Sequence, residues 1–205
     1  MMPRSPTRRL LFIFVSLLIS ACLCHPPKEH SQVARQVQNA PVLSEALTIT
    51  KVIDGDTFVL SNGERIRLTG IDTPESYDNA KARRDSQRFG QDVRAITQQG
   101  KEATQFVRNL AQGKKVRIEY DVQKRDRYGR LLVYVYDIDT LRENPQTQLS
   151  EGLVADANHE IFLNGSIISS GYAIPMTIPP NVKHADLFKK LYSDARSHKR
   201  GLWAH

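Results

Sequence analysis

Two short clusters of carboxylates and arginine set the terms for any chemistry this chain can do. The first is Asp54-Gly55-Asp56-Thr57, and the second runs Arg67-Leu68-Thr69-Gly70-Ile71-Asp72-Thr73-Pro74-Glu75. Carboxylates can hold a hard cation or move a proton, and a guanidinium offers N–H donors to an anionic oxygen. Taken singly, each Asp reads as a turn residue, because Asp side chains bond their own backbone in tight turns. Taken together, the two clusters fall at the ends of short strands, so several carboxylates and Arg67 meet near the mouth of one small sheet.

Those strands are legible in the spacing. Leu47 to Ile53, Thr57 to Leu60 and Arg65 to Ile71 are β-type runs separated by Asp54-Gly55-Asp56 and Ser61-Asn62-Gly63-Glu64, which predicts a three-stranded meander. Lys115 to Tyr120 and Leu131 to Asp137 supply two more strands. Lys101 to Ala111 has helical spacing in Ala103, Phe106, Val107 and Leu110, with Gly113 as a stop. Asn164 to Ala173 is a second helix with Asn164 as its cap, weakened by Gly165 and the paired Ile167 and Ile168. Ala185 to Ser197 is a third, with Leu187, Leu191 and Ala195 on one stripe and Gly201 closing it. The expected class is α+β, mainly β: a small five-stranded barrel with three helices attached. Residues 76–99, polar and highly charged, and 138–160, acidic, read as surface excursions from that plan.

The N-terminus carries a different message. Arg4, Arg8 and Arg9 precede the apolar run Leu10 to Ile19, and Ser20-Ala21 stand just before Cys22. This is the layout of a secretory signal over residues 1–21, with an apolar run too short to span a bilayer permanently. Ile19-Ser20-Ala21-Cys22 resembles the bacterial lipobox, which implies lipidation at Cys22 and a membrane-anchored lipoprotein facing the periplasm or the cell exterior. The alternative is ordinary cleavage near Ala21 and a free secreted protein. With only Cys22 and Cys24 in the chain, no disulfide framework holds the fold. Residues 22–45, with several Pro and Gln, read as a flexible tether, so the folded domain is expected over 46–205. The chain of 205 residues has a formal charge of +7, and removal of the leader arginines lowers it to +4. The remaining excess is concentrated in residues 101–136, with nine basic against four acidic residues, while 137–162 carry one against six. The profile excludes a disordered or coiled-coil chain. A modest, local surplus suits an enzyme that must release a polyanion better than a tight, salt-dependent binder.

Four blocks in order resemble the thermonuclease, or staphylococcal nuclease-like, family. They are Ile53-Asp54-Gly55-Asp56-Thr57, Arg67 with Ile71-Asp72-Thr73-Pro74-Glu75, Asp126-Arg127-Tyr128-Gly129-Arg130, and Gly201-Leu202-Trp203. The resemblance implies an OB-type barrel and calcium-dependent cleavage of phosphodiester bonds in DNA and RNA. By position it places calcium ligands at the carboxylates of Asp56 and Asp72 and the carbonyl of Thr73, and a general base at Glu75. It places phosphate-gripping arginines at Arg67 and Arg130, and terminal-phosphate contacts at Arg127 and Tyr128. No obligate protein partner is implied, and a monomer is expected.

Elementary chemistry agrees with that assignment. A phosphodiester repels hydroxide, and the barrier falls when cations neutralise charge building on the phosphoryl oxygens. An all-oxygen ligand set suits calcium, with magnesium second, and argues against zinc, while the six histidines are scattered without ligand spacing. The chain departs from the family at Thr177 and Pro179, which stand where tyrosines often pack along the nucleotide. A non-catalytic OB-type surface module binding nucleic acid or protein is the competing reading, and Glu75 beside both arginines counts against it.

Overall fold

The structure, a computed structural model, describes residues 46–143 and 150–204. The signal segment, the tether and Cys22 lie outside the described residues, as does the middle of the acidic excursion. Five strands close a ring. β1 (Leu47–Val52), β2 (Thr57–Leu60) and β3 (Arg65–Leu68) form the expected antiparallel meander. β5 (Lys115–Arg125) pairs antiparallel with β1 on one side and with β6 (Leu131–Asp137) on the other. The ring is completed by a parallel pairing of β3 with β6, in the register Ile66↔Leu131, Arg67↔Leu132 and Leu68↔Val133. Its interior is apolar: Ile49, Phe58, Ile66, Val133 and Val135 are wholly buried, and Val107 and Ala111 of a covering helix join the same cluster. Burying such side chains, at roughly 1.5 to 3 kcal/mol each, is what holds these short strands in one register.

The third strand does not run through to Ile71 as its composition suggests. It breaks at Gly70, whose φ of 80° is open to glycine and strained for other residues. A Cβ there would also lie 2.4 Å from the Phe188 ring. The chain turns and continues as β4 (Gly70–Asp72), which pairs with β8 (Ile174–Met176) in a separate two-stranded sheet. That turn carries Asp72 and Thr73 out of the barrel wall and over its mouth.

Residues 76–99 are not an irregular excursion. They form α1 (Ala80–Phe89) and the first turns of α2 (Val93–Ala111), which begins eight residues before the expected Lys101. The caps are local: Asn79 accepts from the backbone N–H groups of Lys81 and Ala82, Asp92 accepts from Arg94, and Gly90 ends α1 in a left-handed conformation. α1 buries only Ala82, so no apolar stripe announces it. After α3 (Thr140–Glu143), β7 (Ile161–Phe162) extends the sheet beyond β6.

The second expected helix is short, α4 (Leu163–Ser169), and Asn164 is not its cap. Asn164 is fully buried inside the helix; its Oδ1 accepts from Val135 N at 3.0 Å and its Nδ2 donates to Thr69 O at 3.0 Å. This one amide ties β6 to the turn that launches β4. α5 (Ala185–Ser197) matches the third expected helix in span, but it buries Phe188 and Ala195 while Leu187 of the expected stripe is exposed, and a 3-10 turn over Gly201–Trp203 follows it.

Candidate active site

The two carboxylate clusters meet at the barrel mouth. Asp56 is placed by the turn between β1 and β2, where Asp54 Oδ1 accepts from Asp56 N at 3.1 Å. Gly55 is required there by close approach: a Cβ would stand 2.6 Å from Thr73 Oγ1. Asp56 Oδ2 accepts from both Thr73 N and Thr73 Oγ1 at 3.1 Å, which staples the start of the second cluster onto the first.

Arg67 lies between the acids. Its Nη1 pairs with Asp56 Oδ2 at 2.8 Å and donates to Leu68 O, while its Nη2 donates to Asp72 Oδ1 at 3.1 Å. The strand places Arg67 in the mouth at 9% exposure, while Arg65, one pleat away, is exposed. Arg130 is positioned from the β5–β6 turn. Asp126 Oδ2 accepts from Arg130 Nε at 2.7 Å, and Arg130 Nη1 reaches Thr57 Oγ1 at 3.3 Å, which in turn donates to Asp56 Oδ1. Among the described residues, Arg67 Nε and Arg130 Nη2 have no hydrogen-bond partner, so each guanidinium keeps a donor for a ligand oxygen.

Glu75 lies in the loop that leads into α1, and the first residues of that helix and its cap hold it. Its Oε2 accepts from Asn79 Nδ2 at 2.7 Å, and its Oε1 pairs with Lys81 Nζ at 3.1 Å. Lys81 escaped the sequence reading. Its Nζ donates to Thr73 O at 2.9 Å and lies 3.3 Å from Asp72 Oδ1 and 3.6 Å from Asp85 Oδ2. Lys81, Asn79 and Asp85 all belong to residues 76–99, expected as a surface excursion, and the Asn79 cap is the local signal that a helix begins there.

Burial, with the Asp56 charge adding to it, pushes the Asp54 carboxyl up to about 6. Burial likewise raises Asp72, against the pull of the Lys81 and Arg67 charges. Burial works against the Lys81 ammonium, but Asp72 and Glu75 outweigh it and hold its pKa above the ordinary value. The expected calcium ligands, Asp56, Asp72 and the Thr73 carbonyl, are all at this mouth. No cluster of three or more His, Cys, Asp or Glu in metal-holding geometry is found among the described residues. The donor chemistry nonetheless suits a hard cation. Oxygens of Asp72, Thr73, Glu75 and Asp85 converge on a single cationic nitrogen, that of Lys81.

Arg127 and Tyr128 do not enter this cluster. Tyr128 is exposed, Arg127 Nη2 donates to Tyr128 OH at 2.6 Å, and the Arg127 guanidinium lies 4.8 Å from the Tyr128 ring centre. Both line a cavity of about 470 Å³ that also holds Arg67, Arg130, Met176 and Ile178. Thr177 and Pro179 are exposed, and neither lines that cavity.

A family model described as "Staphylococcal nuclease homologue" matches residues 65–205, most of the chain and all of the site except the Asp56 turn. The chain belongs to this family. Among curated relatives, a thermonuclease of Staphylococcus intermedius is 29% identical over 165 residues, covering 79% of this chain and 78% of its own length. A thermonuclease of Staphylococcus hyicus is 28% identical, covering 77% and 75%. Endonuclease YncB of Bacillus subtilis is 31% identical, covering 77% of this chain and 61% of its own length. The five-stranded ring with attached helices is the fold that the four sequence blocks implied.

Proposed function

We propose that this nuclease homologue is a calcium-dependent phosphodiesterase, an endonuclease that hydrolyses DNA and RNA outside the cytoplasm and is held to a membrane by a lipid on Cys22. The observation that carries the reading is the single network joining Arg130, Thr57, Asp56, Arg67, Asp72, Lys81 and Glu75 by direct contacts. Two arginines, each with an unused N–H, line one cavity, and the network runs on through Asp72 and Lys81 to Glu75, which Asn79 and Lys81 hold in place.

In this reading the Arg67 Nε–H and the Arg130 Nη2–H donate to the non-bridging oxygens of a phosphodiester. They neutralise charge as it builds, and losing one such donor typically costs about 100- to 1,000-fold in rate. Asp56 and Asp72 orient Arg67 so that this interaction needs no rearrangement at the moment of reaction. Glu75 accepts a proton from the attacking water, and Asn79 and Lys81, one on each oxygen, hold its carboxylate. Calcium, held by Asp56, Asp72 and the Thr73 carbonyl, would supply further positive charge against the phosphoryl oxygens.

Incubating the protein with single-stranded DNA and with RNA, first in calcium and then in chelator, tests this directly. Chelator-sensitive cleavage is expected, and its absence across roughly pH 7 to 10 would refute the enzyme reading. Glu75→Gln is expected to lose about 100- to 10,000-fold in kcat while retaining oligonucleotide binding. If Glu75→Gln cleaves at the wild-type rate, Glu75 is not the base.

A further inference from the structure

A second cavity, of about 560 Å³, opens beside the same centre. Asp72 and Thr73 form its inner edge, whereas Arg67 lines the cavity described above, so the Arg67–Asp72 pair stands between the two. Its walls include Phe89, Tyr192 and Trp203, with Arg196 and Lys199 also lining it. We propose that this cavity is a subsite for the base of a nucleotide next to the scissile phosphate in a single-stranded substrate. The proposal rests on the nuclease reading above and adds to it the place where the strand continues.

Size, chemistry and continuity all favour that occupant. Pockets of roughly 300 to 1,000 Å³ suit small organic groups, and this one is lined by flat rings and cations together. The Arg196 guanidinium lies 5.5 Å from the Trp203 ring centre and 5.7 Å from that of Tyr192, so a stacked base would meet both π-surface and positive charge. Phe89, at the end of α1, is exposed and so presents its ring to the cavity that it lines. Both acids that line it are paired, Asp85 with Lys81 and Asp72 with Lys81 and Arg67. A duplex keeps its bases stacked on each other, so a ring-lined cavity of this kind selects unpaired strands.

The location also accounts for the departure at Thr177 and Pro179. With no tyrosines at those two positions, the arginine-lined cavity keeps Tyr128 as its one aromatic ring, beside Met176 and Ile178. Further stacking surface lies on the other side of the reacting centre, where Phe89 of α1 joins Tyr192 and Trp203.

Trp203 is the chain's single tryptophan, so its fluorescence reads this cavity directly. The full chain, in chelator, is titrated with a short single-stranded oligothymidylate and with an abasic strand of the same length. The intact strand is expected to change Trp203 emission and to bind at least about fivefold more tightly than the abasic one. Phe89→Ala and Arg196→Ala, each confirmed as folded by circular dichroism, are expected to weaken binding of the intact strand about tenfold. No emission change, equal binding of the two strands, or undiminished binding by both variants overturns the subsite. In calcium, the ratio of kcat/KM for a long over a minimal substrate is expected to fall in Phe89→Ala. If nothing is cleaved in calcium, the nuclease reading fails by itself, and the chelator titration still decides whether a base occupies the cavity.

Discussion

Gly100→Ala pits local propensity against tertiary packing. Gly100 is in the interior of α2, where Ala is favoured by about 1 kcal/mol on propensity alone. The helix, however, packs against the backbone beside the candidate base. A Cβ at Gly100 would fall 2.3 Å from the Glu75 carbonyl carbon and oxygen and 2.6 Å from Ser76 N. Ordinary contact begins at 3.4 Å, so helix and loop must part by about 1 Å. These are backbone atoms, which cannot rotate aside. Overpacking of this kind costs roughly 1 to 3 kcal/mol, and three close atoms point to the upper end, leaving a net loss of about 1 to 2 kcal/mol after the propensity gain. The same displacement moves Glu75, and a 1 Å misplacement of a reacting group costs on the order of 100-fold in rate. Urea unfolding and cleavage of a single-stranded substrate measure the two effects on one preparation. A variant more stable than wild type by about 1 kcal/mol, with unchanged activity, would refute the packing argument.

Lys81→Met leaves Asp72 with Arg67 as its one cationic contact; in chelator the variant should lose about 2 kcal/mol by urea unfolding, and unchanged stability would show that the ammonium contributes nothing. His184 packs edge-on against Tyr134, 4.5 Å between ring centres, with Glu119, Asp121 and Lys183 as its charged neighbours; burial lowers its pKa from the ordinary 6.5. The native state therefore binds fewer protons than the unfolded one just below that value, and stability falls as pH drops through it. His184→Gln should lose less stability than wild type between about pH 7.5 and pH 5, and parallel pH profiles would sink that assignment. Cys22→Ala should move the protein from the membrane fraction to the soluble exported fraction, and its retention on membranes would overturn lipid anchoring.

Much of the site is readable in one dimension because its parts lie at fixed offsets on short, regular elements. Asp56 belongs to a glycine-containing turn, Arg67 to an alternating strand, and Asp72, Thr73 and Glu75 to a few consecutive residues. Asp126 and Arg130 bracket a turn whose Asp side chain accepts from the Tyr128 and Arg130 backbone N–H groups. Strand type follows from β-branched and apolar alternation, and the third helix from its helical spacing, with Phe188 rather than Leu187 on the buried face. Such signals are local, and they survived folding.

What the linear pattern did not contain depends on contacts between distant segments. The parallel β3–β6 pairing closes the barrel, yet neither strand carries a mark of the other, since parallel partners are chosen by the shared core. The Phe188 ring fills the space that a Cβ at Gly70 would need, and Asn164 serves Val135 and Thr69 rather than its own helix. α1 is polar on nearly every face, so periodicity was silent about it, and Lys81 went unnoticed with it. The sequence alone determined which groups can carry the chemistry, because residue types and short offsets are properties of the chain. Only the tertiary structure decided that Lys81 stands among the site's oxygens and that an aromatic cavity opens beside Asp72, because both require separate elements to converge on one point.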